Sequence, residues 1–224
     1  INGASSNTTG GTTAGEENII AFNTSTGIST ANPATDFNSF KRNRIFSNGG
    51  KGISLDGTGS NNNIAAPTIS SVTNAGGGVY NISGTAACPS YPCTVELFRT
   101  DDSSAGVSAD ATAGEGYEYL SSAPIAAGSN FSFSGIAISA NGTKITTTIT
   151  DSTGNTSEFG TNYSLPSPNT APTVSNVTFT PNSIPNNGTT TTIVTALVAD
   201  ANGLSDISAV GLNFSAVNSG LTNI

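Results

Sequence analysis

The feature that most limits what this chain can fold into is a phrase that occurs twice. It reads Asn18-Ile19-Ile20-Ala21-Phe22-Asn23-Thr24-Ser25-Thr26-Gly27-Ile28-Ser29, then Asn43-Arg44-Ile45-Phe46-Ser47-Asn48-Gly49-Gly50-Lys51-Gly52-Ile53-Ser54. Asn, Ile, Asn, Gly, Ile and Ser return at one offset of 25 residues. That is about the length of one coil of a parallel β-solenoid, in which each repeat buries its apolar face only against its neighbours. Stacking at the strand spacing of about 4.8 Å sets Ile20 over Ile45 and Ile28 over Ile53 inside the coil. Asn18 over Asn43 and Asn23 over Asn48 then mark its corners. Asn suits a corner because it tolerates left-handed backbone and its amide bonds the adjacent chain. The competing reading is two unrelated strands, each flanked by turns.

Composition selects all-β. The 224 residues suffice for one or two ordinary domains or for several small β modules. Thr, Ser, Asn and Gly dominate, charged residues make only 9%, and no run keeps helical periodicity over three turns. Six basic against fourteen acidic residues give a net charge of −8, which repels phosphate backbones and anionic lipid, so nucleic acid and membrane surfaces are not expected partners. No apolar stretch approaches the roughly 20 residues that cross a bilayer, and no signal segment opens the chain. The chain holds no Met and begins in mid-coil at Ile1-Asn2-Gly3. It therefore reads as a piece of something longer, with self-association or continuation into more chain expected at its ends.

The two cysteines, Cys88 and Cys93, bracket a short loop with two prolines, Pro89 and Pro92. A disulfide closes such a loop easily and implies an oxidising, extracellular or cell-surface compartment. Free thiols in a redox or metal site are the alternative. With no His and no further Cys, these two cannot build a tetrahedral zinc site, and the disulfide is preferred. Asn-x-Ser/Thr triplets at Asn7, Asn23, Asn81, Asn130, Asn141, Asn155, Asn162, Asn176, Asn187 and Asn213 are candidate glycan acceptors. In a chain so rich in these residues, many arise by chance.

Three segments follow from the changes in pattern. Residues 1–63 carry the coils. Residues 64–166 carry strand-like runs at Thr68–Thr73, Val79–Thr85, Thr94–Arg99, Glu118–Ser121, Asn130–Ile136, Lys144–Asp151 and Ser157–Ser164, with Asn141-Gly142 as a tight-turn signal. Seven short strands in about 100 residues point to an immunoglobulin-like β-sandwich. A terminal coil needs covering, and this module is the expected cover on one side. Beyond the proline-punctuated stretch Leu165–Pro172, residues 167–224 hold three runs, Thr173–Thr180, Thr189–Asp200 and Ile207–Val217. Three are too few for a sandwich of seven, so this is a partial second immunoglobulin-like module, cut short or completed by a partner.

Gly10-Gly11-Thr12-Thr13-Ala14-Gly15-Glu16-Glu17-Asn18-Ile19-Ile20, with Asn23, Gly27-Ile28, Asn43, Ile45, Asn48 and Gly52-Ile53, resembles secreted bacterial right-handed parallel β-helix repeat surface proteins. Ser83-Gly84-Thr85-Ala86, Thr94-Val95-Glu96-Leu97-Phe98, Gly114-Glu115-Gly116 and Thr150–Phe159 are similar to the bacterial immunoglobulin-like domains that often follow such helices. The resemblance implies architecture more than chemistry, because these modules recur in adhesins, surface-layer components and enzymes.

Candidate sites are sparse. Polysaccharide-degrading β-helices need paired carboxylates or Ca²⁺ held by several acids on successive coils. Glu16, Glu17, Asp36 and Asp56 do not recur at the 25-residue offset, so no catalysis is expected. Asp200, Asn202 and Asp206 carry alternating oxygens that suit Ca²⁺, but without the distal bidentate Glu, and an Asn-Gly turn is the preferred reading. No other cofactor is implied. Lys41, Arg42, Arg44 and Lys51 crowd one segment, while Asp101, Asp102, Asp110, Glu115 and Glu118 crowd another. Complementary charge can guide docking, yet exposed pairs contribute under about 1 kcal/mol, so two separately solvated surfaces are expected. Tyr80, Tyr91, Tyr117, Tyr119 and Tyr163 are the only tyrosines and there is no Trp, which leaves no visible sugar platform. The expectation is a non-catalytic extracellular structural protein, a subunit or segment of a surface fibre, stalk or layer. Two alternatives stand beside it: a fragment of an adhesin or carbohydrate-binding surface protein, and an ancillary region of a β-helix polysaccharide-degrading enzyme.

Overall fold

The computed structural model describes residues 1–56, 59–110, 114–166, 171–185, 188–200, 207 and 209–211. Among them all regular structure is strand, apart from two short 3₁₀ turns at Ser60–Asn63 and Ser103–Ala105. The chain is all-β. It divides into two units, Ile1–Pro168 and Asn169–Ile224.

The first unit opens with six three-residue strands: β1 (Thr8–Gly10), β2 (Ile19–Ala21), β3 (Ile28–Thr30), β4 (Ser39–Lys41), β5 (Arg44–Phe46) and β6 (Ile53–Leu55). They form three small parallel sheets, each two strands wide: β1 with β4, β2 with β5 and β3 with β6. Ile20 lies opposite Ile45 and Ile28 opposite Ile53. The third pair sets Thr8 opposite Ser39, an offset of 31 rather than 25. Residues 11–18, between β1 and β2, form a longer link than residues 42–43, between β4 and β5, and the six extra residues account for the difference.

Left-handed backbone was expected at the corner asparagines, and the structure moves it by one position. Ser6, Phe22, Phe37, Arg42 and Ser47 have φ between 54° and 63°, and each precedes an Asn. The preceding residue makes the bend, which leaves the Asn free to use its amide along the stack. A left-handed non-glycine residue costs about 1–2 kcal/mol, offset here by the hydrogen bonds that the next residue then makes.

Seven longer strands follow: β7 (Thr68–Gly76), β8 (Val79–Thr85), β9 (Cys93–Arg99), β10 (Glu118–Ile125), β11 (Asn130–Ala137), β12 (Lys144–Thr150) and β13 (Tyr163–Ser164). They make two antiparallel sheets, β11-β8-β7 and β10-β9-β12-β13. Ile69, Ile82, Phe131 and Phe133 of one sheet share a core with Val95, Leu97, Ile125, Ile145 and Ile149 of the other, as period-2 alternation requires. Gly76, Gly77 and Gly78 all take positive φ, which lets β7 turn tightly into β8. Cys88 and Cys93 form a disulfide across a Cα–Cα distance of 5.8 Å, tying the β8–β9 loop to the first, fully buried residue of β9.

Three expected strands differ by more than one residue. The run expected at Thr68–Thr73 extends to Gly76. The run expected at Glu118–Ser121 extends to Ile125, paired with β9 throughout. The run expected at Ser157–Ser164 is strand only at Tyr163–Ser164. Between them, Ser157 N and Gly160 N donate to the β12 carbonyls of Ile149 and Thr147, while neighbouring side chains turn toward the parallel sheets.

The second unit contains β14 (Thr173–Thr180) paired antiparallel with β15 (Ile193–Ala199), with a bulge between Ser175 and Thr178. The run expected from Thr189 begins as strand only at Ile193. In the run expected at Ile207–Val217, the described positions 207 and 209–211 are not strand, and the remainder lies outside the described residues.

Candidate functional site: the sealed end of the parallel stack

The corner asparagines are joined by their side chains. Asn23 N and Nδ2 both donate to Asn48 Oδ1, at 3.2 and 2.7 Å. Asn18 N and Nδ2 donate to Asn43 Oδ1, each at 3.1 Å. A third column, which the sequence reading missed, joins Asn7 N and Nδ2 to Asn38 Oδ1, and Asn38 N in turn to Asn61 Oδ1 at 3.0 Å. Its signal was the string Asn7-Thr8 against Asn38-Ser39, hidden by the changed offset.

The columns end on the sandwich. Asn48 N and Nδ2 donate to Glu115 Oε1 at 2.9 and 2.7 Å, so a carboxylate stands where the next Asn would place its Oδ1. The same substitution recurs along the segment that contains β4 to β6. Phe37 N donates to Asn155 Oδ1 at 2.7 Å, Phe40 N to Thr156 Oγ1 at 3.0 Å, Arg42 N to Glu96 Oε2 at 3.0 Å and Leu55 N to Glu158 Oε1 at 2.9 Å. Ile45 N donates to Gly116 O at 2.8 Å, and Gly52 N to Gly114 O. Strand edges left bare are templates for foreign strands, and unpaired buried N–H groups cost about 1–3 kcal/mol each. Here seven N–H groups, buried or partly buried, are met by acceptors from one module.

The apolar interior is plugged as well. Phe98 and Phe159 join Ile28, Phe40, Ile45 and Ile53 in one buried cluster, their rings edge to face at 5.4 Å. Gly52 and Gly116 permit this approach. A Cβ on Gly52 would press on Phe159 and Ile45, and one on Gly116 would press on both phenyl rings.

Electrostatics at this seam follow from burial. Glu96 is 4% exposed, and burial pushes its carboxyl up to about 7, against the hydrogen bond from Arg42 N and the charges of Lys41 and Arg42. Burial also raises Glu115, opposed by Asn48. Asp151 behaves differently: burial works to raise it, yet hydrogen bonds from Asn155 and Thr153 hold it below its usual value. Those bonds make residues 151–155 a closed turn, with Asp151 Oδ1 accepting from Thr153 N and Asn155 N.

The two charged segments, expected to stay apart, meet. Arg42 lies over the Tyr119 ring at 4.0 Å and Arg44 over Tyr117 at 4.7 Å. Arg44 Nε donates to Tyr117 O at 3.1 Å, and Lys51 pairs with Glu158. Guanidinium-on-ring stacking is worth about 0.5–2 kcal/mol, a term that counting exposed ion pairs omits. Of the acids of the other segment, Glu115 accepts from Asn48 across the seam, while Asp101 accepts from Thr143 N and Lys144 N and Asp102 and Glu118 bind Arg99.

Of the remaining candidates, Asp200 follows β15, while Asn202 and Asp206 lie outside the described residues. Among the described residues no cluster of three or more His, Cys, Asp or Glu could hold a metal ion, and no helix is long and apolar enough to cross a membrane. Asn155 is fully buried and closed to a glycan, whereas Asn81, Asn130 and Asn176 are exposed. Asn187 and Asn213 lie outside the described residues. No protein-family model matches the chain, and no curated protein does either.

Proposed function

We propose that the chain is a non-catalytic extracellular structural protein, a subunit or segment of a surface fibre, stalk or layer. In this reading the three parallel pairs are coils of a short β-helix and the seven-strand module is an immunoglobulin-like sandwich. In-register pairing at the repeat offset supports the first assignment. Strand order supports the second, with first, second and fifth strands in one sheet and the fourth, third, sixth and seventh in the other. The disulfide agrees with an oxidising compartment.

One observation carries the structural reading: the two ends of the stack are treated differently. One is closed by seven directed hydrogen bonds and two phenyl plugs. On the other, β1 and β2 have no strand beyond them among the described residues, while Ile1 and Asn2 pair with the edge of β3 at Ser29 and Ala31. There, Ile19 and Phe22 are 65% and 78% exposed. The unpaired edges of β1 and β2, with their Asn acceptors and apolar side chains, are suited to another layer of parallel strand, as in any stacked repeat. Load along the axis then passes through hydrogen-bonded columns into the sandwich.

The test is light scattering and electron microscopy of the full chain, alongside Phe22→Lys. End-on association that rises with concentration and is lost in the variant, at unchanged thermal stability, supports the reading. Dispersed monomers of the unaltered chain, with Ile19–Ala21 amides protected from exchange by its own residues, overturn it. A second reading, a fragment of an adhesin or carbohydrate-binding surface protein, is favoured by the arginine–tyrosine cleft beside the seam.

A further inference from the structure

The cleft, of about 380 Å³, lies where Arg42 and Arg44 of the parallel stack meet Tyr117 and Tyr119 of the sandwich. Its size falls at the lower end of the ~300–1,000 Å³ typical of small-ligand sites. It suits a small polar molecule rather than a folded partner's surface.

Its charges are unevenly paired. On one side Arg99, 4% exposed, donates through Nη2 to Asp102 Oδ2 and to Glu118 Oε2, both at 2.7 Å. That arginine already answers both acids. The hydroxyl of Ser104 and the Arg99 guanidinium hold the Asp102 carboxyl at about 2, against the effect of burial, so it stays ionised and committed. On the other side, Arg42 and Arg44 each lay one guanidinium face on a tyrosine ring. Apart from the Arg44 Nε bond to Tyr117 O, their guanidinium nitrogens make no hydrogen bond or ion pair with any described residue. Arg42 Nε is buried without a partner, as are Nε and Nη1 of Arg99. Glu17 lines the cleft beside Arg42 and Arg44, and its Oε2 accepts from Gly15 N at 2.6 Å. Three arginines and three carboxylates line the cleft and sum to zero, but Arg99 takes two of the acids, which leaves the Arg42 and Arg44 side without an ion pair among the described residues.

Stacking fixes the plane of a guanidinium and leaves its edge N–H groups for a ligand, and that edge matches a carboxylate bidentately. The carboxylates of Glu17 and Glu118 line the same cleft and accept hydrogen bonds only. A ligand that satisfies both sets offers one carboxylate and several hydroxyl donors. An acidic peptide brings further carboxylates toward Glu17 and Glu118 and no hydroxyls for them.

We propose that this cleft binds a carboxylated sugar residue of an acidic polysaccharide, with Arg42 and Arg44 taking the carboxylate and Glu17 and Glu118 taking ring hydroxyls. The inference stands on the cleft and does not depend on how the chain assembles. It supplies a surface component with a place to hold an acidic glycan without chemistry on it.

The test is a titration of the full-length protein, followed by ¹H–¹⁵N shifts, with tetragalacturonate, the same tetramer with its carboxyls reduced, a Glu-rich peptide and sulfate. Saturable shifts at the amides of Arg42, Arg44, Tyr117 and Tyr119 are expected with tetragalacturonate alone. Affinity falls about tenfold or more in Arg42→Gln/Arg44→Gln, whose spectrum elsewhere and melting temperature show that the fold is kept. Arg44→Lys, which keeps the charge and removes the fork, also loses most of the binding. No saturable shift up to about 20 mM ligand, which corresponds to binding weaker than about −2.3 kcal/mol, overturns the proposal. So does equal binding of the reduced tetramer, the Glu-rich peptide or sulfate, or full binding by Arg44→Lys.

Discussion

At the scale of single residues, the stack is held by an amide that acts twice. Asn48 accepts from Asn23 through Oδ1 and donates through Nδ2 to Glu115, and to the Ile20 and Phe46 carbonyls at 3.0 and 3.3 Å. Asn48→Ala removes every one of these bonds and strands their partners, so a loss of about 3 kcal/mol in urea unfolding is expected. Asn48→Asp is the sharper variant. It keeps the acceptor for Asn23 but sets a second carboxylate against Glu115, so at pH 8 it falls below the Ala variant and the gap closes as pH drops toward 5. Equal stability of the two at pH 8 would show that Glu115 is not a rung of the column. Ser47, left-handed at φ 54°, predicts the opposite sign, because Ser47→Gly relieves backbone strain and gains up to about 1 kcal/mol. The register of Asn18, Asn23, Asn43 and Asn48 was legible because both copies of the phrase share one offset. Asn7 and Asn38 were not, since six residues inserted between β1 and β2 break that offset. Glu115 was out of reach for a different reason: its role is set 67 residues away from Asn48, and no local pattern marks it.

At the scale of elements, β9 belongs to two structures at once. Val95 and Leu97 face the sandwich core, Phe98 enters the parallel stack, and Glu96 accepts from Arg42 N. Burying Glu96 as a carboxylate is costly, and the cost titrates. Its folded value of about 7 lies above the unfolded value near 4.5, so the folded state takes up a proton that the unfolded state releases between those values. The penalty is full above pH 7 and gone below about pH 4.5, with a span on the order of 3 kcal/mol. Glu96→Gln keeps an oxygen for Arg42 N and removes the charge. The variant is expected to melt higher than the parent at pH 8 and with it at pH 4.5, and a parallel pair of pH profiles would refute this assignment. The strands themselves were largely readable, because β8, β9, β11 and β12 alternate and are bounded by Gly, Pro or Asn. Residues 157–162 were not, since alternation cannot separate a strand from an irregular segment whose successive residues serve different neighbours with no fixed period. Glu158 and Phe159 serve the stack, while Ser157 and Gly160 pair with β12.

At the scale of the first unit, the question is whether stack and sandwich fold as one body. The stack has strands of three residues and its own apolar interior is small, too little for independent stability in water. It borrows Phe98 and Phe159, and its amides borrow acceptors from four separate parts of the sandwich chain: β9, residues 114–116, the turn 151–155 and residues 156–158. Loss of the plug should therefore be felt on both sides of the seam. Phe159→Ala opens a cavity between Ile45, Ile53 and Phe98, with an expected loss of about 3–5 kcal/mol. Hydrogen exchange reads how that loss is distributed. With one cooperative body, amides of Ile45 in β5 and Val95 in β9 exchange with equal free energies in the parent and fall together in the variant, and calorimetry of this unit shows a single transition. If β5 loses protection while β9 keeps its own, the sandwich is a free-standing base and the stack a dependent layer upon it, and axial load would part the chain at the seam first.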